Sequence, residues 1–207
     1  MTDTKWSGAM WNQRYDRTDY LFGTEPAQFL LDQRQHLTAG QSALVVADGE
    51  GRNSVWLAQQ GLHVTAMDAA ENGLAKARAL ADSRNVSLTL QLADLRAWDW
   101  QEAAFDVVVA VFIQFAEPEF RAAIFEGMKR TVKPGGLILL HGFTPAQMHY
   151  TSGGPRIEAH LYTPEMLAGA FDDFEILRLE AYEADLTEGP GHHGAAALID
   201  LVARRPV

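Results

Sequence analysis

Cysteine is absent from the 207 residues of this chain. Without cysteine there is no disulfide framework, no thiolate metal site and no cysteine nucleophile. No two histidines have the i, i+4 spacing with an acid between them that zinc proteases use, so no metal site is predicted. These absences exclude disulfide-stabilised secreted domains and zinc-thiolate modules, and they agree with a cytoplasmic protein.

Long apolar runs and an excess of basic charge are also missing. No run of about 18 apolar residues occurs, and the polar N-terminus has no signal-peptide core. The 17 basic and 27 acidic residues give a formal net charge of −10. Phosphate backbones and anionic membranes attract basic surfaces, so nucleic-acid and membrane partners are disfavoured. We expect a cytoplasmic protein that acts on a small molecule, as a monomer or a homodimer.

The middle of the chain alternates strand-like and helix-like segments. Alternation at this spacing predicts a parallel sheet with helices on both faces, and the length fits one domain. The run Phe105–Val111 is continuously apolar and β-branched apart from one aspartate, as for a strand buried on both faces. The predicted strands cover residues 42–47, 62–67, 86–92, 105–111 and 137–141, and the predicted helices cover 53–60, 71–82 and 118–131.

The C-terminal part has a different pattern. A helix is predicted over residues 163–171, with Thr163 as its cap and Pro164 at its first position. Two strand-like stretches, 174–184 and 195–203, follow on either side of a turn-rich segment and predict an antiparallel hairpin at a sheet edge.

The fold class is therefore α/β, a single-domain, Rossmann-like, doubly wound sheet of about seven strands. It is expected to be mostly parallel, with a C-terminal antiparallel hairpin. We expect a helical N-terminal segment over residues 5–37, within a single domain of residues 1–207 divided into a lid (1–37) and a core (38–207). Residues 133–136, Lys-Pro-Gly-Gly, predict a turn.

A glycine loop follows the first predicted strand, as Asp48-Gly49-Glu50-Gly51. Glycine lets the backbone pass close to a ligand, and the next helix offers free N–H groups, so this is a candidate nucleotide-binding turn. Asp68 ends the second strand, where a carboxylate can accept two hydrogen bonds from a ribose diol. Ser54 stands where the dinucleotide motif has its third glycine, which disfavours NAD.

A second acid, Asp94, follows the third predicted strand. Its carboxylate can accept a hydrogen bond from an adenine amino group, while Leu95 supplies an apolar side chain beside the ring. The order of glycine loop, ribose acid and adenine acid points to S-adenosylmethionine. Each acid has a simpler alternative, since Asp68 can cap a helix and Asp94 can cap a turn.

The stretch from Val45 to Ala81 resembles class I S-adenosylmethionine-dependent methyltransferases. More narrowly, the chain is similar to the tellurite-resistance and thiopurine branch of that family. The resemblance rests on Glu50-Gly51-Arg52-Asn53, on the C-terminal Glu-Gly-x-x-His-x-Gly from Glu188, on the Lys-Pro-Gly-Gly motif, and on an N-terminal motif that includes Trp11, Arg14, Tyr15, Phe22, Gly23 and Pro26.

The resemblance implies an S-adenosylmethionine site and a lid formed by the N-terminal segment. Two positions depart from the family pattern, because Val45 and Ala47 stand where most class I enzymes have an acid and a glycine. Aromatic faces can lie over a sulfonium, and we expect Tyr20 and Phe22 near the cofactor but Trp11 and Tyr15 in packing roles. The expected cofactor residues are Asp48, Gly49, Gly51, Asn53, Asp68, Ala69, Asp94, Leu95, Val111, Tyr20 and Phe22.

The methyl acceptor is expected at the carboxyl end of the sheet, where doubly wound folds bind ligands. Gln114 is the odd polar residue after the fourth strand, and Arg156 suits an anionic substrate. Tyr150 lies in a glycine-rich loop and completes the predicted substrate residues. If the acceptor needs a general base, the weak candidates are His141, His149 and His192.

Two functions from different classes follow. The first is methyl transfer to a small molecule with a soft nucleophile, such as a thiol, a selenium or tellurium oxyanion, or a heterocycle. This in-line displacement needs mainly positioning and exclusion of water. The second is a sensor or partner protein that binds S-adenosylmethionine or S-adenosylhomocysteine without catalysis.

Overall fold

The computed structural model describes residues 7–207, and residues 1–6 of the predicted N-terminal segment lie outside this range. Helices and strands alternate through the middle of the described chain, and three short 3-10 helices cover Arg34–His36, Pro145–His149 and Glu158–His160. The α-helices are α1 (Gly8–Arg14), α2 (Gln28–Asp32), α3 (Arg52–Gln59), α4 (Glu71–Ser83), α5 (Pro118–Thr131) and α6 (Pro164–Ala170). The strands are β1 (Ser42–Val46), β2 (His63–Asp68), β3 (Thr89–Leu92), β4 (Phe105–Val111), β5 (Val132–Phe143), β6 (Glu175–Thr187) and β7 (His193–Arg204).

The seven strands belong to one sheet, in the order β3-β2-β1-β4-β5-β7-β6. Strand β2 runs parallel to β1 and to β3, and β4 runs parallel to β5. Strand β7 is antiparallel to both β5 and β6. The predicted fold class, a mostly parallel sheet with a C-terminal antiparallel hairpin, is confirmed.

Two compact units divide the chain. The first extends to Asp99 and includes Glu188–Pro190, and the second comprises Trp100–Thr187 and Gly191–Val207. The apolar residues of β1 and β2 form the core of the first unit, with Leu44 and Ala66 fully buried. In the second unit the largest fully buried side chains include Tyr162, Phe143, Phe171, Met128 and Ile138. The single-domain division stays a prediction.

The hairpin and the last helix follow their sequence signals. The Thr163 hydroxyl accepts the Met166 N–H at 3.2 Å, as expected of an N-cap, and Pro164 is the first residue of α6. Within residues 7–207, no helix has the length and apolarity to cross a membrane.

Three segments differ from the predictions. The predicted turn at 133–136 is wrong, because β5 already begins at Val132. The Gly135 N–H donates to the Arg205 carbonyl, and the Arg205 N–H donates to the Gly136 carbonyl, so the end of the chain pairs with this segment. Strand β3 begins at Thr89 instead of residue 86. The predicted N-terminal helical segment is interrupted between α1 and α2, where side chains of the glycine loop and α3 hold the chain in turns.

Candidate functional site

The loop between β1 and α3 has left-handed backbone at three positions. Gly49 and Gly51 have φ values of +67° and +92°, which glycine adopts without steric cost. A Cβ on Gly51 would lie 2.6 Å from the Ala77 Cα, so this glycine also lets α4 approach the loop. Ala47 has φ +49°, a conformation that costs an L-residue roughly 1–2 kcal/mol. The alanine that replaces the usual family glycine is therefore strained.

Asp48 is hydrogen-bonded to Ser54 in the first turn of α3. Its carboxyl group accepts hydrogen bonds from the Ser54 hydroxyl and, at 3.4 Å, from the Ser54 N–H. Burial raises the pKa of Asp48 to about 7, against the lowering effect of the Ser54 hydroxyl bond. Asp48 thus has a structural role at the start of α3, and its predicted cofactor contact stays a prediction.

Asp68 ends β2, as predicted, and turns towards the glycine loop. One carboxylate oxygen accepts the Gly49 N–H at 2.8 Å, and the other accepts the Ala70 N–H at 2.8 Å. Burial raises the pKa of the carboxyl group, and these backbone bonds lower it in part. Since each oxygen has a second lone pair, the carboxylate can still accept hydrogen bonds from a ligand.

Tyr15 lies directly on the glycine loop. It is the C-cap of α1, stacks on Trp11 at 5.6 Å between ring centroids, and is 6% exposed. A Cβ on Gly49 would lie 2.7 Å from the Tyr15 hydroxyl oxygen. Burial, followed by the negative charges of Asp68 and Glu50, raises the pKa of Tyr15 well above its usual value. Sequence reasoning gave this residue a packing role only.

Glu50 holds the segment between α1 and α2. Its carboxylate accepts the Leu21 N–H at 2.8 Å and the Phe22 N–H at 3.4 Å, and it forms a 2.8 Å ion pair with Lys76. Asn53 acts in the same way, since its side-chain oxygen accepts the Ala27 N–H at 3.0 Å. This bond shows that Asn53 positions the N-terminal segment, and its predicted contact with the cofactor stays a prediction.

Arg52 and Glu188 connect the two most specific sequence motifs of the chain. They form a buried ion pair at 2.8 Å, with 7% and 10% of their side chains exposed. The other Glu188 oxygen accepts the Gln28 N–H at 3.3 Å. The Glu-Gly-Arg-Asn motif and the Glu188 turn therefore both stabilise the chain around α2. The two residues belong to different motifs and are 136 residues apart in sequence. Their membership of family motifs was therefore the only sequence signal that either residue is important.

Asp94 and Leu95 follow β3, as predicted. Asp94 is exposed and accepts the Arg96 N–H at 2.8 Å, which is the turn-capping arrangement considered as its alternative. Leu95 is buried, with 8% exposure. Ala69 is exposed just after β2, and a Cβ on Gly8 of α1 would lie 2.8 Å from its methyl carbon. The three residues lie after the ends of neighbouring strands. The adenine contact of Asp94 and Leu95 and the cofactor contact of Ala69 stay predictions.

The two aromatic residues predicted to lie near the cofactor have packing roles. Tyr20 packs against the buried cluster of Val55, Leu80 and Ala81, and its hydroxyl donates to the Lys76 carbonyl at 3.1 Å. Phe22 packs against the cluster that contains Tyr15. Tyr15, and not Tyr20, has its hydroxyl at the glycine loop. The cofactor contacts expected for Tyr20 and Phe22 stay predictions.

In the second unit, a ring cluster lies at the carboxyl ends of β4 and β5. Phe112 has φ +57°, which is a genuine outlier for an aromatic residue. Its ring centroid lies 4.6 Å from those of His141 and Phe143 and 4.3 Å from that of His192. Backbone strain of this kind is found most often at functional sites. Phe112 was not among the site residues expected from the sequence.

His141 is oriented by a buried acid. Its Nδ1 lies 2.7 Å from the Asp200 carboxylate, and both residues are 2% exposed. Asp200 also accepts hydrogen bonds from Arg178 Nε at 2.9 Å and from the Tyr182 hydroxyl at 3.2 Å. A carboxylate that accepts a hydrogen bond from His141 requires a proton on Nδ1. The role of His141 as a general base stays a prediction.

The side chain of Gln114 hydrogen-bonds to backbone groups. Its amide nitrogen donates to the Phe143 carbonyl at 2.8 Å and to the His160 carbonyl at 3.3 Å, and its oxygen accepts the Phe143 N–H at 2.6 Å. With 4% exposure, Gln114 has a structural role, and these bonds give no support to the predicted substrate contact. Val111, the last residue of β4, is half-buried and pairs in register with His141.

The remaining predicted residues of the second unit lie on or under the loop after β5. His149 and Arg156 are exposed, and Arg156 donates to the Met148 carbonyl at 3.2 Å. A hydrogen bond to Glu183 raises the pKa of Tyr150. His192 is buried, and a Cβ on Gly153 would lie 3.2 Å from its Nε2. Of the three candidate bases, His141 and His192 share the ring cluster and His149 does not.

Comparisons with known proteins agree with this geometry. The model of the family described as "Methyltransferase domain" matches residues 43–136. A probable S-adenosyl-L-methionine-dependent methyltransferase, TehB of Haemophilus influenzae, is 32% identical over 92 residues, which are 44% of this chain. The match spans 32% of the length of that relative. The cofactor that the family implies is S-adenosylmethionine.

The similarity of fold extends over nearly the whole chain. The crystal structure of TehB from Haemophilus influenzae has a TM-score of 0.72 at 21% identity, over 94% of this chain and 65% of that one. The [4+2]-cyclase SpnF has a TM-score of 0.71 at 18% identity, over 97% and 95% of the two chains. Because a cyclase shares the fold, the fold alone does not show the reaction.

The residues of the first unit fit an adenosyl group. The glycine loop has left-handed backbone where a Cβ would obstruct it, and the strand-end carboxylate of Asp68 has lone pairs that its backbone bonds do not use. Val45 is fully buried and apolar, so it offers no contact to an ammonium group. The side chains of the first unit thus suit the adenosine part of S-adenosylmethionine better than its methionine part.

Proposed function

We propose that this protein catalyses S-adenosylmethionine-dependent methyl transfer to a small molecule with a soft nucleophilic atom. The observation that supports this most directly is Asp68 at the end of β2, bonded to the Gly49 N–H of the glycine loop. The family match over the same segment supports the cofactor assignment. The relatives named TehB are probable S-adenosyl-L-methionine-dependent methyltransferases, which supports the reaction class. Thiols and selenium or tellurium oxyanions are the acceptors that we propose, because a soft nucleophile needs little base catalysis.

The cofactor supplies a methyl group that its sulfonium charge has already activated. The protein then contributes binding, orientation and exclusion of water. In the first unit, Asp68 would hold the ribose, and Asp94 and Leu95 the adenine. In the second unit, the rings of Phe112, Phe143 and His192 give an apolar environment, which suits a polarisable acceptor atom.

A panel of acceptors tests the proposal through the formation of S-adenosylhomocysteine. We expect turnover with a small thiol, a heterocyclic thiol, selenite or tellurite, and none with nucleic acid or protein. Turnover only with nucleic acid or protein would contradict the proposal. The buried Val45 and the strained Ala47 favour a second candidate, a non-catalytic sensor. Cofactor binding without turnover on any acceptor would support that function instead.

A further inference from the structure

The hydroxyl group of Tyr15 lies on the glycine loop, at the end of a side chain that packs in a hydrophobic cluster. Tyr15 is 6% exposed, and its hydroxyl oxygen is not among the buried side-chain atoms of residues 7–207 that lack a hydrogen-bond partner. Tyrosine combines an apolar ring with a polar tip that can donate and accept a hydrogen bond. Such a tip beside a predicted ligand site can hydrogen-bond the ligand.

The surroundings fix the position of this hydroxyl. On one side, the Tyr15 ring packs on Gly73 of α4, where a Cβ would lie 3.0 Å from ring carbon Cδ2. On the other side, the hydroxyl contacts Gly49, whose N–H donates to Asp68. Helix α1 is anchored to α4 because the side-chain oxygen of Asn12 accepts the Asn72 N–H at 2.7 Å. The hydroxyl is therefore held at the same glycine as the predicted ribose acid.

The charge around the hydroxyl indicates which ligand group it meets. Burial, followed by the negative charges of Asp68 and Glu50, raises the pKa of Tyr15 against the lowering effect of Arg14, so the phenol stays neutral. A sugar hydroxyl is also neutral and can both donate and accept, so it can pair with the phenol and with the Asp68 carboxylate together.

We propose that the Tyr15 hydroxyl is a cofactor-binding group that hydrogen-bonds the ribose diol of the adenosyl ligand beside Asp68. This inference rests on the proposed function, since it assumes that the glycine loop binds the adenosyl group. It gives Tyr15 the cofactor role that sequence reasoning gave to Tyr20.

Calorimetric titration with S-adenosylhomocysteine and its 2′-deoxy and 3′-deoxy analogues tests this contact. Tyr15→Phe removes one oxygen and leaves the ring packing, so we expect S-adenosylhomocysteine to bind about three- to tenfold more weakly. The deoxy analogue that lacks the contacted hydroxyl should bind the variant and the wild type equally. The melting temperature without ligand should stay the same, because the ring packing is kept.

A buried tyrosine of the second unit provides the matched control. Tyr162→Phe makes the same change in a side chain with 1% exposure, and we expect unchanged affinity. Equal affinity of the wild type and Tyr15→Phe, or an equal loss for all three ligands, would overturn the inference. A loss of affinity in Tyr20→Phe but not in Tyr15→Phe would also overturn the inference. Failure of the wild-type protein to bind S-adenosylhomocysteine would instead contradict the proposed function.

Discussion

At the scale of single residues, the glycine loop combines strain with buried charge. Ala47 adopts left-handed backbone without being glycine, and Asp48 keeps a carboxyl group where water is excluded. Both features reduce stability, and both lie beside Asp68 in the loop predicted to bind the cofactor. This agrees with the general observation that strain and perturbed pKa values collect at functional sites.

The raised pKa of Asp48 predicts how stability depends on pH. The folded state holds the Asp48 proton up to about pH 7, while the unfolded chain loses it near its ordinary pKa of 3.8. Folding therefore retains a proton in this window, and the free energy of unfolding should fall as the pH rises from about 4 to about 7. Chemical denaturation across that range measures the slope.

Asp48→Asn mimics the protonated side chain and should give a flatter pH dependence than the wild type. Some slope should remain, because burial also raises the pKa of Asp68. The same slope in both proteins would show that Asp48 does not titrate in this window.

At the scale of elements, the chain between α1 and α2 depends on glycine-loop and α3 side chains more than on its own helicity. Glu50 and Asn53 accept its backbone N–H groups, and Lys76 Nζ donates to the Asp19 carbonyl at 2.7 Å. These bonds connect the N-terminal segment to the glycine loop, to α3 and to α4. A change in this segment should therefore be transmitted to the loop that carries Asp68's partner Gly49.

Glu50→Gln tests this connection. The amide oxygen can still accept the Leu21 N–H, but Lys76 loses its charged partner at a site where Glu50 is only 2% exposed. We expect a loss of about 2–3 kcal/mol in the free energy of unfolding, because removing one partner leaves a charge that is poorly solvated. Faster hydrogen exchange at the Leu21 amide should accompany the loss.

The same substitution at Glu126 is the control. This side chain is 71% exposed and pairs with Lys129, which also pairs with Asp173. We expect no measurable change, because exposed ion pairs contribute little. Equal losses for the two variants would contradict a special role for Glu50.

Sequence periodicity predicted the elements well because each signal is local. The predicted first and last residues of β4 and α5 are those found in the structure. The β-branched run of β4 and the proline at the start of α5 are signals that lie within the elements themselves. Long-range pairing has no such signal. Asp200 interrupts an apolar strand, which suggests a buried partner, but only the register of β5 with β7 identifies it as His141.

The aromatic residues of the N-terminal segment show the same limit. Tyr15 belongs to the N-terminal motif and Tyr20 does not, but only the packing of α1 on α4 shows which hydroxyl lies on Gly49. Gln114 was selected as an isolated polar residue in an apolar run. Such a residue can also satisfy buried backbone groups, as it does for Phe143.

At the scale of the whole molecule, the first unit contains the predicted adenosyl site. The second unit contains a ring cluster with an oriented histidine. The glycine loop, Asp68 and the family match agree on the ligand. The dinucleotide alternative lacks the third glycine, and Ser54 in its place is bonded to Asp48. A site for S-adenosylmethionine and a site for NAD therefore differ in the ligand that stabilises the folded protein.

Calorimetric titration of the wild-type protein with S-adenosylmethionine, and separately with NAD, tests the central claim most directly. We predict saturable binding of S-adenosylmethionine at one site per chain, and no binding of NAD at the same concentrations. Saturable binding of NAD without binding of S-adenosylmethionine would contradict the account.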